Sequence, residues 1–388
     1  MTKSITPKQI KANNRQQIYN YIYESGKVSQ QDITYALRLS RPTVAANLAA
    51  LETDGLIFKN GQQDSELIGR KAMGYSIVRD YRVAIGVEVR RRKVILIAVD
   101  LYGRPAGNSA DCLTLNIPYK NEARYYKKVA SEIESFISAQ GFRPEQLLGI
   151  GFAMQGLVSS DGKKVLYGAI LENSGLTIEA FSRHLPYPCT FIHDPESAAL
   201  TELWHSPDLA NAIYISLSHH LGGAMITNGL VRAGKHGHNA TFEHIQVRMR
   251  GDLCYCGKRG CLETLCSLNA LLGDDPPEPF FEAVRNGSPE ETKRWKAYLD
   301  NLAMMLNMLH LVRDVDIVLG GHLAAFLEEE DIQYLYDRIR DLTPFGDPDD
   351  FLVLSKMPKN NITIGGALLY IRAFLEDIDM EGEPVIEM

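Results

Sequence analysis

The sequence predicts an α/β protein in two parts: a winged helix-turn-helix head over residues 1–80 and a larger bilobed body over 81–388. Three observations carry this prediction. A chain of 388 residues is too long for one ordinary core and suits a small unit joined to a two-lobed one. The first fifty-five residues repeat the punctuation of short capped helices. At Val83 the apolar pattern switches to alternation and then to a continuous run, as strands require.

In the head, Ile10, Ile18 and Ile22 recur at helical spacing among Lys11, Arg15 and Gln16, which predicts an amphipathic first helix. Ser29 is placed to cap a second helix from about residue 30 to 37, with Asp32 adding a negative charge to its first turn. After a short turn at 38–40, Ser40 caps a third helix in which Pro42 occupies the first turn and Val44, Leu48 and Leu51 form the buried stripe. The second helix of such a pair enters the DNA major groove. Arg41, Thr43, Ala46 and Asn47 border the apolar stripe or face away from it and are the candidate base readers. GLIFKNG and GRKAMGYSIV then predict two short strands, a wing, with Gly69, Arg70 and Lys71 as a cationic spur suited to a narrow, electronegative minor groove.

Charge is divided unevenly. Residues 1–80 hold eleven Lys and Arg against seven Asp and Glu, whereas the whole chain is at -7. A locally basic head on an acidic body restricts double-stranded DNA contact to the head. The 45% hydrophobic and 23% charged content is that of a soluble globular protein. No apolar run reaches membrane-spanning length and the first residues lack a signal-peptide core, so the expected compartment is the cytoplasm, with no membrane partner.

The densest chemistry lies at CYCGKRGCLE. Cys254, Cys256 and Cys261 follow His244 at a distance of ten residues, and three thiolates with one imidazole complete a tetrahedral zinc set. Clustered thiols without an export signal favour a metal over disulfides. With no coordination position left for water, zinc in this loop, residues 244–261, is structural. Cys112, Cys189 and Cys266 are isolated and expected to pack in the core.

The His before C-x-C-G-x-x-G-C-L-E resembles the ROK family (repressor, open reading frame, kinase), which holds bacterial sugar kinases and, with an added DNA-binding head, sugar-responsive repressors. The resemblance runs from about residue 10 to about 375, including the closing NITIGGALLYIRAF. It implies a body of actin-like ATPase (ribonuclease H-like) lobes. In the family's kinases a D-x-G-G-T turn and a G-T-G-x-G-G turn bring bare backbone to the ATP phosphates. Here the first frame reads Glu88-Val89-Arg90-Arg91-Arg92 and the second Ser218-His219-His220-Leu221-Gly222-Gly223. Side chains obstruct close amide approach, so neither ATP nor kinase activity is expected, although the Gly320-Gly321 turn is kept. The Arg run reads as a solvated turn, with an anion such as a sugar phosphate as the alternative ligand.

The resemblance also implies a sugar pocket. Asp194, His244 and Glu263 match family sugar contacts, His193 stands where the family has Asn, the family Glu falls on Thr241 with Glu243 two residues displaced, and Asn173 resembles a further contact. Gln155 replaces a usual proline. Asp194, a catalytic base in a kinase, is left as a hydrogen-bond acceptor. The expectation is a repressor of carbohydrate genes, not an enzyme, controlled by a sugar or sugar-phosphate effector and acting as a homodimer or homotetramer on a pseudo-palindromic operator. The rival readings are a sugar kinase with a DNA-binding head and a regulator sequestered by another protein.

Overall fold

The computed structural model describes residues 6–62, 73–108, 112–346, 349–357 and 359–379. Helix α1 (Pro7–Ser25) starts at Thr6, whose hydroxyl accepts the Gln9 N–H while the Gln9 side chain accepts the Thr6 N–H. Its buried stripe is Ile18, Tyr19 and Ile22; Ile10 is exposed. A two-residue strand β1 (Val28–Ser29) leads into α2 (Gln30–Leu37), where Ser29 and Asp32 cap each other reciprocally. Arg38, in the left-handed region, ends that helix, and the Ser40 hydroxyl caps α3 (Arg41–Thr53) by accepting the Thr43 N–H at 3.2 Å. Strands β2 (Ile57–Gln62) and β3 (Met73–Ile77) pair antiparallel, and β3 also takes β1, completing a winged helix-turn-helix. Gly69, Arg70 and Lys71 lie outside the described residues.

The body opens with the hairpin of β4 (Val83–Val89) and β5 (Val94–Val99), both buried along their whole length, followed by β6 (Leu113–Leu115) and α4 (Ala123–Gln140). Then come β7 (Leu147–Met154), the small β8 (Leu157–Val158) and β9 (Val165–Tyr167), α5 (Glu179–Ser182), β10 (Cys189–His193) and α6 (Asp194–His205). The sheet order is β10-β7-β4-β5-β6, parallel across β10, β7 and β4 and antiparallel from β4 to β6.

The second lobe repeats the plan. It starts with the hairpin of β11 (Ala212–Leu217) and β12 (Leu221–Thr227), then β13 (Leu230–Val231). The short helices α7 (Glu263–Cys266) and α8 (Leu268–Leu272) precede α9 (Pro277–Arg285) and α10 (Pro289–Val312). Strand β14 (Asp316–Gly320), α11 (Glu329–Leu342) and β15 (Leu352–Leu354) complete it. Its order, β13-β12-β11-β14-β15, read from the opposite end, has the same sequence of parallel and antiparallel pairings as the first lobe. This repeat is in topology alone; no residue pattern announces it.

Helix α12 (Asn361–Glu376) returns the chain to the first lobe. It lies so close to β7 that a Cβ on Gly151 would stand 1.9 Å from the Gly366 carbonyl oxygen. Its far end holds the head. Tyr19 meets Phe374 edge-on, Tyr23 stacks on Tyr102 with centroids 4.9 Å apart, and Gln16 donates to the Leu375 carbonyl at 2.8 Å and accepts the Ile378 N–H at 2.9 Å. Head residues Ile18, Ile22 and Leu51 therefore share one core with Leu101, Tyr370 and Ile371 of the body. Gly151→Ala, which forces that backbone contact apart, is expected to cost about 3 kcal/mol of stability, read as a lower urea midpoint with the slope unchanged.

Candidate ligand cleft and metal centre

The ligand-bearing atoms of His244, Cys254, Cys256 and Cys261 all lie within 4.8 Å of one another. Cys254 Sγ is 3.8 Å from His244 Nδ1, and Cys256 Sγ is 3.8 Å from Cys261 Sγ. A single 3-10 turn, Phe242–His244, presents the imidazole. The thiols come from a tight loop closed by Cys254 N–H to the Lys258 carbonyl and Gly257 N–H to the Cys254 carbonyl. Gly260, with φ +70°, is required here, because a Cβ would stand 1.6 Å from the Arg248 carbonyl oxygen. This donor set can hold one metal ion, and its composition of one imidazole and three thiols suits zinc.

Beside the loop a cleft of about 1090 Å³ opens between the lobes. His193 ends β10 and Asp194 begins α6, with His193 Nε2 3.5 Å from Asp194 Oδ1. Burial lowers His193 to about 4, so it is neutral at pH 7. Burial, with the Glu88 charge adding, raises Asp194 to about 7; burial and then Asp194 raise Glu196 to about 7. Burial likewise lifts Glu243 to about 8, and neither its Oε2 nor that of Glu196 has a hydrogen-bond partner. A carboxyl near its midpoint at neutral pH can donate or accept, which suits hydroxyl recognition.

Of the predicted pocket residues, His193, Asp194 and His244 line the cleft. Thr241 does not. It precedes the 3-10 turn, which carries Glu243 inward to the wall, so the displaced carboxylate takes the place expected for Thr241. Glu263 stands behind the wall: its Oε1 is 2.7 Å from His220 Nδ1, and its Oε2 accepts the Leu221 N–H at 2.8 Å. Asn173 is fully buried beneath Gly168, with no partner for either amide atom. His220 and Tyr255 were not among the predicted pocket residues. Tyr255 packs edge-on against both His220 and His244, at 5.1 and 5.2 Å, and thereby joins the thiol loop to the cleft wall. Its position between two metal-type cysteines was the one available sign.

Both lobe-opening hairpins point their turns into the cleft. Val89 pairs with Val94, and Arg90 N–H bonds to the Lys93 carbonyl, leaving Arg90, Arg91, Arg92 and Lys93 along the cavity. The expected solvated turn is thus exposed at Arg91 and Arg92 and is also a cleft wall. Leu217 pairs with Leu221, so Ser218, His219 and His220 form the second turn. In the head, Arg41 and Ala46 are exposed and Thr43 is half-buried. Asn47 departs from expectation: it is buried, and its amide donates to the Thr43 carbonyl at 2.9 Å, which removes it from the reading face. Cys266 is in the core as expected, while Cys112 and Cys189 are only half-buried.

A winged helix-turn-helix head on two lobes of one repeated topology, with a cleft and a thiol-imidazole centre between them, defines the class. Residues 86–344 match the ROK family and residues 12–57 match a winged helix-turn-helix DNA-binding family. The chain belongs to the ROK family. It is 29% identical over 268 residues to the DNA-binding transcriptional dual regulator NagC of Escherichia coli K12, covering 68% of this chain and 64% of that protein. It is 24% identical over 274 residues to the xylose repressor of Bacillus subtilis 168, covering 68% of each. Among solved structures, a ROK family transcriptional regulator homologous to the E. coli Mlc protein superposes with TM-score 0.76 at 22% identity, over 95% of this chain and 98% of that one. A Streptomyces griseus ROK glucokinase, in complex with glucose and AMPPNP, superposes with TM-score 0.63 at 20% identity over 74% of this chain and 98% of that one.

A carboxyl raised by folding binds its proton more tightly in the native state. Its contribution to stability is therefore complete below the unfolded value and is lost as pH rises through the folded one. For Glu196 that window runs from about 4.5 to about 7. Glu196→Gln, which cannot ionise, is expected to flatten the decline in melting temperature between pH 5 and 8; an unaltered slope would contradict the buried-acid assignment.

Proposed function

We propose that the chain is a cytoplasmic, DNA-binding repressor of carbohydrate-metabolism genes, controlled by a sugar or sugar derivative in the interlobe cleft and lacking kinase activity. The observation that carries this reading is the union of two features. A winged head shares its core with the body, and the body's two cleft hairpins are crowded with Arg, Lys and His side chains. Bare amide approach to a triphosphate is obstructed at both turns. The names of the relatives, a transcriptional regulator and a xylose repressor, support the same assignment.

In this reading α3 enters the major groove, with Arg41, Thr43 and Ala46 facing the DNA and Arg70 and Lys71 reaching the minor groove. Two heads of a homodimer or homotetramer meet the two halves of a pseudo-palindromic site. His193, Asp194 and Glu243 engage effector hydroxyls; Glu263 and Asn173 support the wall from behind. Ligand acts on DNA affinity to the extent that it binds one lobe arrangement better than the other. That difference reaches the head through α12, which borders the cleft at Asn361 and grips α1 at Phe374.

Gel-shift titration against DNA fragments selected from genomic DNA tests this directly. Arg41→Ala is expected to weaken binding about tenfold, and one member of a panel of glucose, xylose and N-acetylglucosamine, each with its phosphate, is expected to shift the wild-type affinity. No shift with any sugar, or steady ATP consumption with one of them, would reject the reading.

Zinc bound by His244, Cys254, Cys256 and Cys261 would hold the loop that carries Tyr255, with no step of chemistry of its own. Cys256→Ser is expected to lower zinc content, read by plasma emission, and DNA binding together. Full DNA binding by a zinc-free Cys256→Ser protein would show the centre to be dispensable.

A further inference from the structure

We infer that the cleft takes a phosphorylated sugar whose phosphate is held at the β4–β5 turn by Arg91, Arg92 and Lys93. The inference rests on the reading of the cleft as an effector site and adds the chemical class of the effector.

Four consecutive cationic side chains border the cavity on this turn. Only the first is neutralised. Arg90 pairs with the buried Glu88, which also accepts the Thr363 hydroxyl at 2.9 Å. Arg91, Arg92 and Lys93 form no ion pair among the described residues. The turn is not a loose loop: both of its strands are buried throughout, and it is closed by the Arg90 to Lys93 backbone bond. The main chain of Arg91 is tied down as well, its carbonyl accepting the Tyr119 N–H at 3.0 Å. Three cations without an ion-pair partner among the described residues are thus anchored by rigid backbone at the edge of the cleft.

Of the five carboxyls of the same cavity only Glu88 stands at the turn, where Arg90 and the Thr363 hydroxyl occupy it; the other four sit elsewhere. Asp194 and Glu243 come from α6 and the 3-10 turn, while Asp274 and Glu278 belong to the second lobe. A neutral sugar satisfies the first pair through its hydroxyls and leaves the turn idle. A phosphate dianion on that sugar engages the guanidinium forks in short charge-assisted bonds, stronger than neutral ones and matched to the phosphate oxygens in geometry. The same side chains that obstruct backbone contact with a triphosphate therefore suit an anion reached by side-chain tips.

Isothermal titration of the full-length protein tests this with glucose, N-acetylglucosamine, their 6-phosphates and inorganic pyrophosphate. The wild type is expected to bind one 6-phosphate at least tenfold more tightly than its parent sugar. The ratio should fall about tenfold or more in the Arg91→Ala, Arg92→Ala double variant and shrink with added salt. Both positions are exposed, so an unchanged melting temperature certifies the fold of the variant. Equal affinity for parent and phosphate in the wild type, or a preference that survives the double substitution, overturns the inference. Should parent sugars bind without any gain from phosphate, the effector reading stands and the anion site falls. Should no sugar bind while pyrophosphate does so only in the wild type, the anion site stands and the effector reading falls.

Discussion

Backbone touches backbone where α12 meets the first lobe, and the remaining architecture is arranged around that contact. The Gly365-Gly366 pair faces Ser197 of α6 and Gly151 of β7, positions where even a methyl group would collide with a carbonyl oxygen. Helix and sheet consequently approach more closely than side-chain packing allows. One rod of sixteen residues, about 24 Å long, then carries two sets of side chains to two destinations. Asn361 and Thr363 reach Tyr214 and Glu88 beside the cleft, and Phe374 reaches Tyr19 in the head. A rigid element buried along most of its length transmits displacement without absorbing it.

The cleft itself is walled by two hairpin turns of contrasting chemistry. Both hairpins hold unbroken antiparallel register up to their turns, one of which carries Arg and Lys and the other His. His220 crosses from one such turn to the buried Glu263 carboxylate, so the second lobe is latched to the helix that follows the metal-type loop. Tyr255 completes a continuous aromatic contact from His220 to His244. The loop and the cleft wall are accordingly one mechanical unit.

Local signals were legible in the sequence and cross-chain ones were not. Thr6, Ser29 and Ser40 cap helices through partners three residues away, which is why the head could be read from spacing alone. The four metal-type donors were legible for the same reason, three of them lying within eight positions of each other. Asn47 is buried rather than outward because one residue beside an apolar stripe can turn either way, and its amide donates to the Thr43 carbonyl. Glu243 was displaced in a motif alignment that counts residues, whereas a 3-10 turn decides which one points inward. The screening of Glu263 by His220 spans forty-three positions, and no periodicity reports on such a pair. The common topology of the lobes was likewise invisible, because hydrogen-bonding order can persist when the residues that realise it have diverged.

The shared core of head and body also bears on how proteins of this architecture can be recombined. Tyr19 and Tyr23 lean on Phe374 and Tyr102, and Arg15 spans Asp54 and Asp379, so the boundary near residue 80 separates strands without separating apolar contacts. A chimaera that grafts a foreign reading head at that boundary inherits a body surface shaped for α1 of this chain. Compatible exchange would have to transplant α1 together with the last turn of α12, making the winged head and the end of that helix a single exchangeable module.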